Sequence, residues 1–273
     1  MSDLLQQIAA ASDYIKKIWS LTPEVGIILG SGLGNLAGEI SEAIEIPYNE
    51  IPHFPTSTVE GHRGRLVLGR MNGRPVVAMA GRFHYYEGFS MQQVTFPVRV
   101  FKALGVKTLL VSNAAGGMNR AFKVGDLMII RDHINLQPEH PLRGPNIAEL
   151  GPRFPDMSEP YSKALIAKAK EIAANNNIQV HTGVYVGVQG PTFETRAEYQ
   201  YMANIGGDAV GMSTVPEVIV AMHSSMKVFA MSVITDIGIR EEENVITHEE
   251  VLEAANAAEP KLTLIFRELI SVL

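Results

Sequence analysis

Short, largely apolar runs recur along the chain at residues 25–29, 65–69, 76–80, 108–112, 127–130, 184–188, 209–212 and 228–234. Each is too short for an independent helix, and unbroken Val, Ile and Leu content suits strands covered on both faces. Stretches with helical spacing lie between several of them, at 91–104, 160–175, 194–204 and 214–225, and another closes the chain at 247–271. The chain opens with Leu4, Ile8, Ala11, Ile15 and Ile18 on one face of a further helix. Strand–helix alternation of this kind predicts an α/β protein built on a helix-covered sheet. No repeat, low-complexity tract or linker divides residues 1–273, so the chain reads as one domain near the upper size for a single core. The proline-rich stretch 132–159 reads as a long irregular excursion, and Arg240-Glu241-Glu242-Glu243-Asn244 as a solvated loop.

Composition removes several classes of function. A formal charge of −6 argues against nucleic acid as a partner, since a phosphate backbone demands a basic face. The chain has no cysteine, which excludes disulfides and thiolate metal sites and fits a reducing, cytoplasmic compartment. The first residues lack the charged-then-apolar pattern of a signal peptide, and no apolar run approaches the roughly 20 residues of a membrane span. With no His-Glu-x-x-His or Cys/His cluster, no metal site is expected.

The polar residues that interrupt the apolar runs are the candidates for chemistry. The run 25–29 feeds Gly30-Ser31-Gly32-Leu33-Gly34, whose backbone N–H groups and Ser31 hydroxyl suit an anion. The third glycine comes one residue early for a dinucleotide fingerprint, and a ligand-free tight turn explains the pattern equally well. After 76–80 come Arg82, His84 and Tyr86, which alternation along a continuing strand would place on one face. Arg82 offers a bidentate fork, His84 a proton-dependent donor, and Glu87 a carboxylate to orient His84; a surface ion pair is the plainer alternative. His62 sits in the glycine-flanked loop Glu60-Gly61-His62-Arg63-Gly64, and Asn113-Ala114-Ala115-Gly116-Gly117 ends another strand. Phe193-Glu194 pairs a flat apolar surface with a carboxylate able to accept from a purine N1–H, although Glu194 also suits the start of helix 194–204. Asp236 ends the last strand, where α/β folds place ligands. His248 follows Thr247, which with Glu250 forms a helix capping box.

In their order, these segments resemble the trimeric, 6-oxopurine class of purine nucleoside phosphorylases, from about Val25 to the C-terminus. The resemblance rests on Leu29-Gly30-Ser31-Gly32-Leu33-Gly34, Gly81-Arg82-Phe83-His84, Thr95-Phe96-Pro97-Val98-Arg99-Val100, Asn113-Ala114-Ala115-Gly116-Gly117, Asp132-His133-Ile134-Asn135 and Gly211-Met212-Ser213-Thr214-Val215-Pro216-Glu217. It implies a single α/β domain with a central mixed β-sheet covered by helices (phosphorylase/hydrolase-like). It also implies phosphorolysis of inosine and guanosine, ribo- or deoxyribo-, to free base and α-(deoxy)ribose 1-phosphate. Phosphate, the cosubstrate in a reaction needing no cofactor, would be held by Ser31, His62, Arg82, His84, the Ala114 backbone and Ser213. Tyr86, Met212 and His248 would hold the ribose; Phe193, Glu194, Tyr185, Val210 and Asp236 would hold the base. His84, Glu194, Asp236 and His248 would carry the catalysis, and Phe154 would come from the neighbouring subunit of a homotrimer.

Asp236 departs from the pattern, because the 6-oxopurine-specific enzymes carry Asn after this Thr. Ionised, Asp236 would accept from N7–H and oppose O6; protonated, it would donate and act as a general acid. The related methylthioadenosine phosphorylases share Thr-Asp but lack the Glu of Phe193-Glu194 and have a second Asp where this chain has Gly238. The expected substrates are therefore inosine and guanosine with some relaxation toward 6-aminopurines. The alternatives are a preference for 6-aminopurines or xanthosine, or a non-catalytic nucleoside-binding protein.

Overall fold

In the computed structural model, residues 3–56, 64–239 and 246–273 are described. Helix α1 (Asp3–Ile18) leads to strand β1 (Val25–Ile28), and strands β2 (Ser41–Pro47), β3 (Arg65–Met71) and β4 (Arg74–Ala80) follow. Then come α2 (Met91–Leu104), β5 (Thr108–Gly117), β6 (Leu127–Asn135), α3 (Lys163–Asn175) and β7 (Val180–Gly187). The chain finishes with α4 (Arg196–Asn204), β8 (Ala209–Gly211), α5 (Val215–His223), β9 (Lys227–Ile237) and α6 (His248–Ser271). All eight apolar runs are strands, as the alternation predicts.

The strands form one mixed sheet in the order β2-β3-β4-β1-β5-β8-β7-β6-β9. Its far edge returns: β9 pairs antiparallel with β6 and parallel with β5, closing β5, β8, β7, β6 and β9 into a ring. Strands β1, β4, β5 and β9 run parallel, so their C-terminal ends lie together at one rim. In open and mixed α/β sheets that rim is where ligands bind. The ladder between β5 and β9 carries a bulge opposite Ala115 and Gly116, with Thr235 as the extra residue. A bulge re-aims the side chain that follows; here that residue is Asp236.

The fully buried core joins Ile27, Leu29, Val77, Leu110, Phe101, Phe229 and Ile234 from the sheet and α2 with Leu262 and Phe266 of α6. At roughly 1.5–3 kcal/mol per buried large apolar side chain, such packing outweighs local propensity in holding the elements in place.

Three expectations change. Strand β2, Ser-Glu-Ala-Ile-Glu-Ile-Pro, is an edge strand with Ile46 as its buried residue, so it lacks an apolar run to announce it. Strand β6 continues through Asn135, shortening the irregular stretch, which otherwise holds a 3-10 turn at Ala148–Leu150. Strand β4 stops at Ala80; Gly81 turns with φ 105°, and a 3-10 turn spans Tyr85–Glu87. Arg82, His84 and Tyr86 therefore do not share a face by strand alternation. The acidic run at 240–244 lies outside the described residues.

Candidate active site

A solvent-open cleft of about 670 Å³ lies at the rim where β1, β4, β5 and β9 end. Ser31, Arg82, His84, Tyr86, Ala114, Phe193, Glu194, Val210, Met212, Ser213, Asp236 and His248 all line it. Twelve residues chosen from scattered positions thus meet around one space.

One end of the cleft is rich in donors. Ser31 stands in the turn after β1, where Gly32 adopts φ +71° and a Cβ would come within 2.8 Å of Ala255 on α6. The next 3-10 turn is held to α6 by Glu259: its buried carboxylate accepts from the Asn35 backbone N–H at 2.6 Å and from Asn35 Nδ2 at 2.5 Å. Arg82 is only 1% exposed. Its Nη1 donates to the Ser112 carbonyl and to Ser213 Oγ, each at 2.9 Å, while Nε lies 3.1 Å from Glu217 Oε1. The equally buried Glu217, in the first turn of α5, supplies the countercharge that a desolvated guanidinium requires.

His84 is held by Glu87, which accepts from the His84 backbone N–H at 2.8 Å and sits 3.0 Å from Nδ1. That contact assigns the ring proton to Nδ1 and turns Nε2 away from Glu87. Burial lowers the His84 pKa from its ordinary value; the Glu87 hydrogen bond opposes the shift and the Arg82 charge adds to it. The His84 and Tyr86 rings stack at 4.7 Å. Burial, reinforced by the Glu87 charge, pushes the Tyr86 phenol up to about 12.

Ser213 is presented by a strained turn. Thr214 has φ +70° and ψ −54°, and Val215 N donates to Ser213 O at 2.8 Å, which makes a γ-turn with positive φ. Such a conformation costs on the order of 1–3 kcal/mol in a β-branched residue. Asn113 Nδ2, donating to Thr214 Oγ1 at 2.8 Å, helps hold it.

The other end is acidic and aromatic. Glu194 precedes α4 rather than beginning it: Thr195 is the N-cap and forms a capping box with Glu198. Burial raises the Glu194 pKa and the Asp236 charge adds to this, against hydrogen bonds from its own backbone and from Tyr199. Asp236 Oδ2 accepts from the Tyr199 hydroxyl at 3.1 Å, and Oδ1 lies 3.2 Å from Thr235 Oγ1. His248 opens α6, where Thr247 Oγ1 accepts from the Glu250 N–H at 3.2 Å. The capping and cleft-lining readings of this segment are both correct.

Three predicted residues are absent from the described lining of this chain's cleft. His62 lies outside the described residues. Tyr185 does not line the cleft: it is fully buried behind it, with its hydroxyl 3.4 Å from Ser213 N, so it backs the Ser213 turn. Phe154 is 88% exposed beneath the Arg153 guanidinium, away from the cleft of its own chain. Conversely, Glu217 and Tyr199 are missed by the motif reading. Glu217 looks like a first-turn acid favoured by the helix dipole, and Tyr199 like a core aromatic; only the fold brings Tyr199 to the cleft wall and Glu217 beside Arg82.

The donor end, the acidic end and the aromatic surfaces between them describe a transferase site for an anion and a heterocyclic leaving group. The chain belongs to the phosphorylase superfamily, whose sequence profile matches residues 24–271, and within it to the purine nucleoside phosphorylases. Purine nucleoside phosphorylase 1 of Geobacillus stearothermophilus is 56% identical over 246 residues, 90% of each chain. Isoform 2 of the Schistosoma mansoni purine nucleoside phosphorylase, solved with cytosine and ribose-1-phosphate, superposes with a TM-score of 0.94 at 48% identity, covering 98% of this chain and 96% of that one. A Schistosoma mansoni purine nucleoside phosphorylase solved with inosine gives a TM-score of 0.94 at 44% identity, covering 98% and 97%.

Proposed function

We propose that the chain catalyses the reversible phosphorolysis of purine ribo- and 2′-deoxyribonucleosides, chiefly inosine and guanosine. The observation that carries this is the polarity of the cleft: Arg82, His84 and Ser213 gather donors at one end, and Glu194 and Asp236 gather acceptors at the other. Phosphate sits among Ser31, Arg82, His84, the Ala114 backbone and Ser213, with His62 as a further phosphate ligand. Tyr86, Met212 and His248 take the ribose; Phe193, Glu194 and Val210 take the base, with Asp236 at its N7 edge. Tyr185 acts from behind Ser213.

In the forward reaction the C1′–N9 bond breaks with its electron pair passing to the purine, leaving an oxocarbenium-like ribosyl centre. Phosphate stabilises that cation from the opposite face and then forms the C1′–O bond, giving inverted α-ribose 1-phosphate. The donors around Arg82 are fixed before substrate arrives, so little reorganisation is left for the transition state. At the base, Glu194 accepts from N1–H and orients the ring, while the group near N7 helps the purine leave as charge builds on it. The reaction requires phosphate as cosubstrate and no further cofactor.

The active assembly is a homotrimer in the cytoplasm, in which the exposed Phe154 of one subunit covers a neighbour's cleft. The strong exposure of so large an apolar ring supports this reading. A non-catalytic nucleoside-binding protein would have no use for the buried Arg82–Glu217 pair aimed at an anion.

Incubation of the purified protein with inosine, guanosine, xanthosine and adenosine, with and without phosphate, tests the reading directly. Phosphate-dependent release of hypoxanthine or guanine supports it, and no base release sinks it. Light scattering of wild type and Phe154→Ala, each paired with an activity measurement, tests the shared site: loss of activity with the trimer intact is expected.

A further inference from the structure

Tyr199 stands on α4 with its ring in a small apolar cluster with Met118, Val186, Met202 and Val210. Two glycines make room for it. A Cβ at Gly238 would run into the Tyr199 ring, and a Cβ at Gly116 would lie 2.8 Å from the hydroxyl and 3.0 Å from Asp236 Oδ2. The ring is therefore confined on two sides, and its hydroxyl is delivered to one place: 3.1 Å from Asp236 Oδ2, at the wall of the cleft. The same hydroxyl interacts with Glu194. A phenol has one proton to donate and lone pairs to accept with. Placed between two carboxylates, it can donate to one while accepting from the other only if that one carries a proton, so the three groups share their protons.

We propose that Tyr199 is a positioning residue of the purine subsite, whose hydroxyl pins Asp236 and links it to Glu194 so that both carboxylates meet the base as one hydrogen-bonded unit. Tyr199 does not touch the reacting atoms in this scheme. It fixes the direction of the Asp236 carboxylate after the β9 bulge, and when Asp236 holds the shared proton the phenol's own proton turns to Glu194 and steadies it as an acceptor for the base. The inference rests on the phosphorylase reading of the cleft.

The other titratable groups bearing on the unit are Glu198, whose charge raises Glu194, and His248 across the cleft. Burial and both carboxylates raise the Tyr199 phenol far above its ordinary range, so the hydroxyl stays protonated throughout neutral pH. With the Tyr199 hydrogen bond gone, Glu194 loses a contact that lowers its pKa.

Tyr199→Phe keeps the ring against Gly238 and removes only the hydroxyl. Kinetics with inosine and guanosine between pH 5 and 8 should show purine kcat/KM falling about tenfold, the size expected for one hydrogen bond to a charged group. The KM for phosphate should stay unchanged, and the acidic limb of the purine profile should move to higher pH. Asp236→Asn and the double variant complete a cycle: the Tyr199→Phe effect should shrink in the Asp236→Asn background, because Tyr199 acts through Asp236. Calorimetric titration with hypoxanthine should show the same loss of affinity, with the acid-side decline starting at higher pH. Independent effects in the cycle, or an unmoved pH profile, would overturn the proposal. An unmodified protein that releases no base with phosphate would instead defeat the phosphorylase reading, and the hypoxanthine titrations would still decide the role of Tyr199.

Discussion

The two ends of the cleft both carry ionisable side chains, yet they are built on opposite plans. At the donor end each carboxylate holds a basic side chain: Glu217 holds Arg82, and Glu87 holds His84. At the acidic end two carboxylates, Glu194 and Asp236, face one cavity and share a neutral phenol. The first arrangement is cross-braced and rigid, so it can accept an anion without rearranging. The second is a surplus of acceptors, made tolerable by proton sharing and completed by a ligand that brings N–H groups. Rigidity at one end and adjustable protonation at the other match a reaction in which an attacking anion must be held still while a leaving base gathers charge.

The comparison breaks first at Arg82. Arg82→Ala removes the anion's main donor and leaves Glu217 buried and unpaired, so kcat/KM for phosphate should fall by about a thousandfold or more. Unfolding in urea should show a loss of about 3–5 kcal/mol. Replacing both partners, Arg82→Leu with Glu217→Leu, should restore most of the stability and none of the activity; recovered activity would show that the pair is not the anion site.

Glu194→Gln tests the opposite end. It should lower purine kcat/KM by roughly 10- to 100-fold while leaving the KM for phosphate within about twofold, as measured with both substrates varied. A smaller effect, about tenfold in kcat, is expected for Glu87→Gln, which loosens the His84 ring without removing it. Since the Glu87 contact raises the His84 pKa, the limb of the pH profile belonging to His84 should move toward acid.

The smallest effect concerns stability against pH. Burial lowers His84, His133, His140 and His223 below the ordinary 6.5. A histidine lowered in the folded state binds its proton first in the unfolded chain, so its stabilising contribution is complete above 6.5 and is lost as pH falls below it. Glu194, raised in the fold, works in the opposite sense nearer the carboxylate range. Four groups against one predict a melting temperature a few degrees lower at about pH 5.5 than at pH 7.5, read by calorimetry. A flat profile would remove burial of these rings as a source of strain.

The fold was legible wherever burial is two-sided. Runs such as Val25–Ile28 and Val228–Ile234 have no polar face to conceal them, whereas β2 at the edge, with Glu42 and Glu45 exposed, lacks that signature. Among site residues, those next to strand ends or glycine turns (Ser31, Arg82, Asp236) were visible because function there departs from local structural need. Tyr185, by contrast, was assigned to the cleft by resemblance, and its actual place behind Ser213 depends on how β7 and β8 pair. Glu217 and Tyr199 satisfy ordinary helical rules at their own positions, so nothing local distinguishes them. Their roles arise from partners 135 and 37 residues away along the chain, Arg82 and Asp236 respectively.

The grip of Glu259 on Asn35 has a mechanical meaning. By taking both a backbone and a side-chain donor, it welds the last helix to the turn that carries Ser31. His248 sits at the front of that same helix. The C-terminal helix is thus a brace: one piece of secondary structure carries His248 at its front and, through Glu259, anchors the segment beside Ser31, so two parts of the cleft wall share one support.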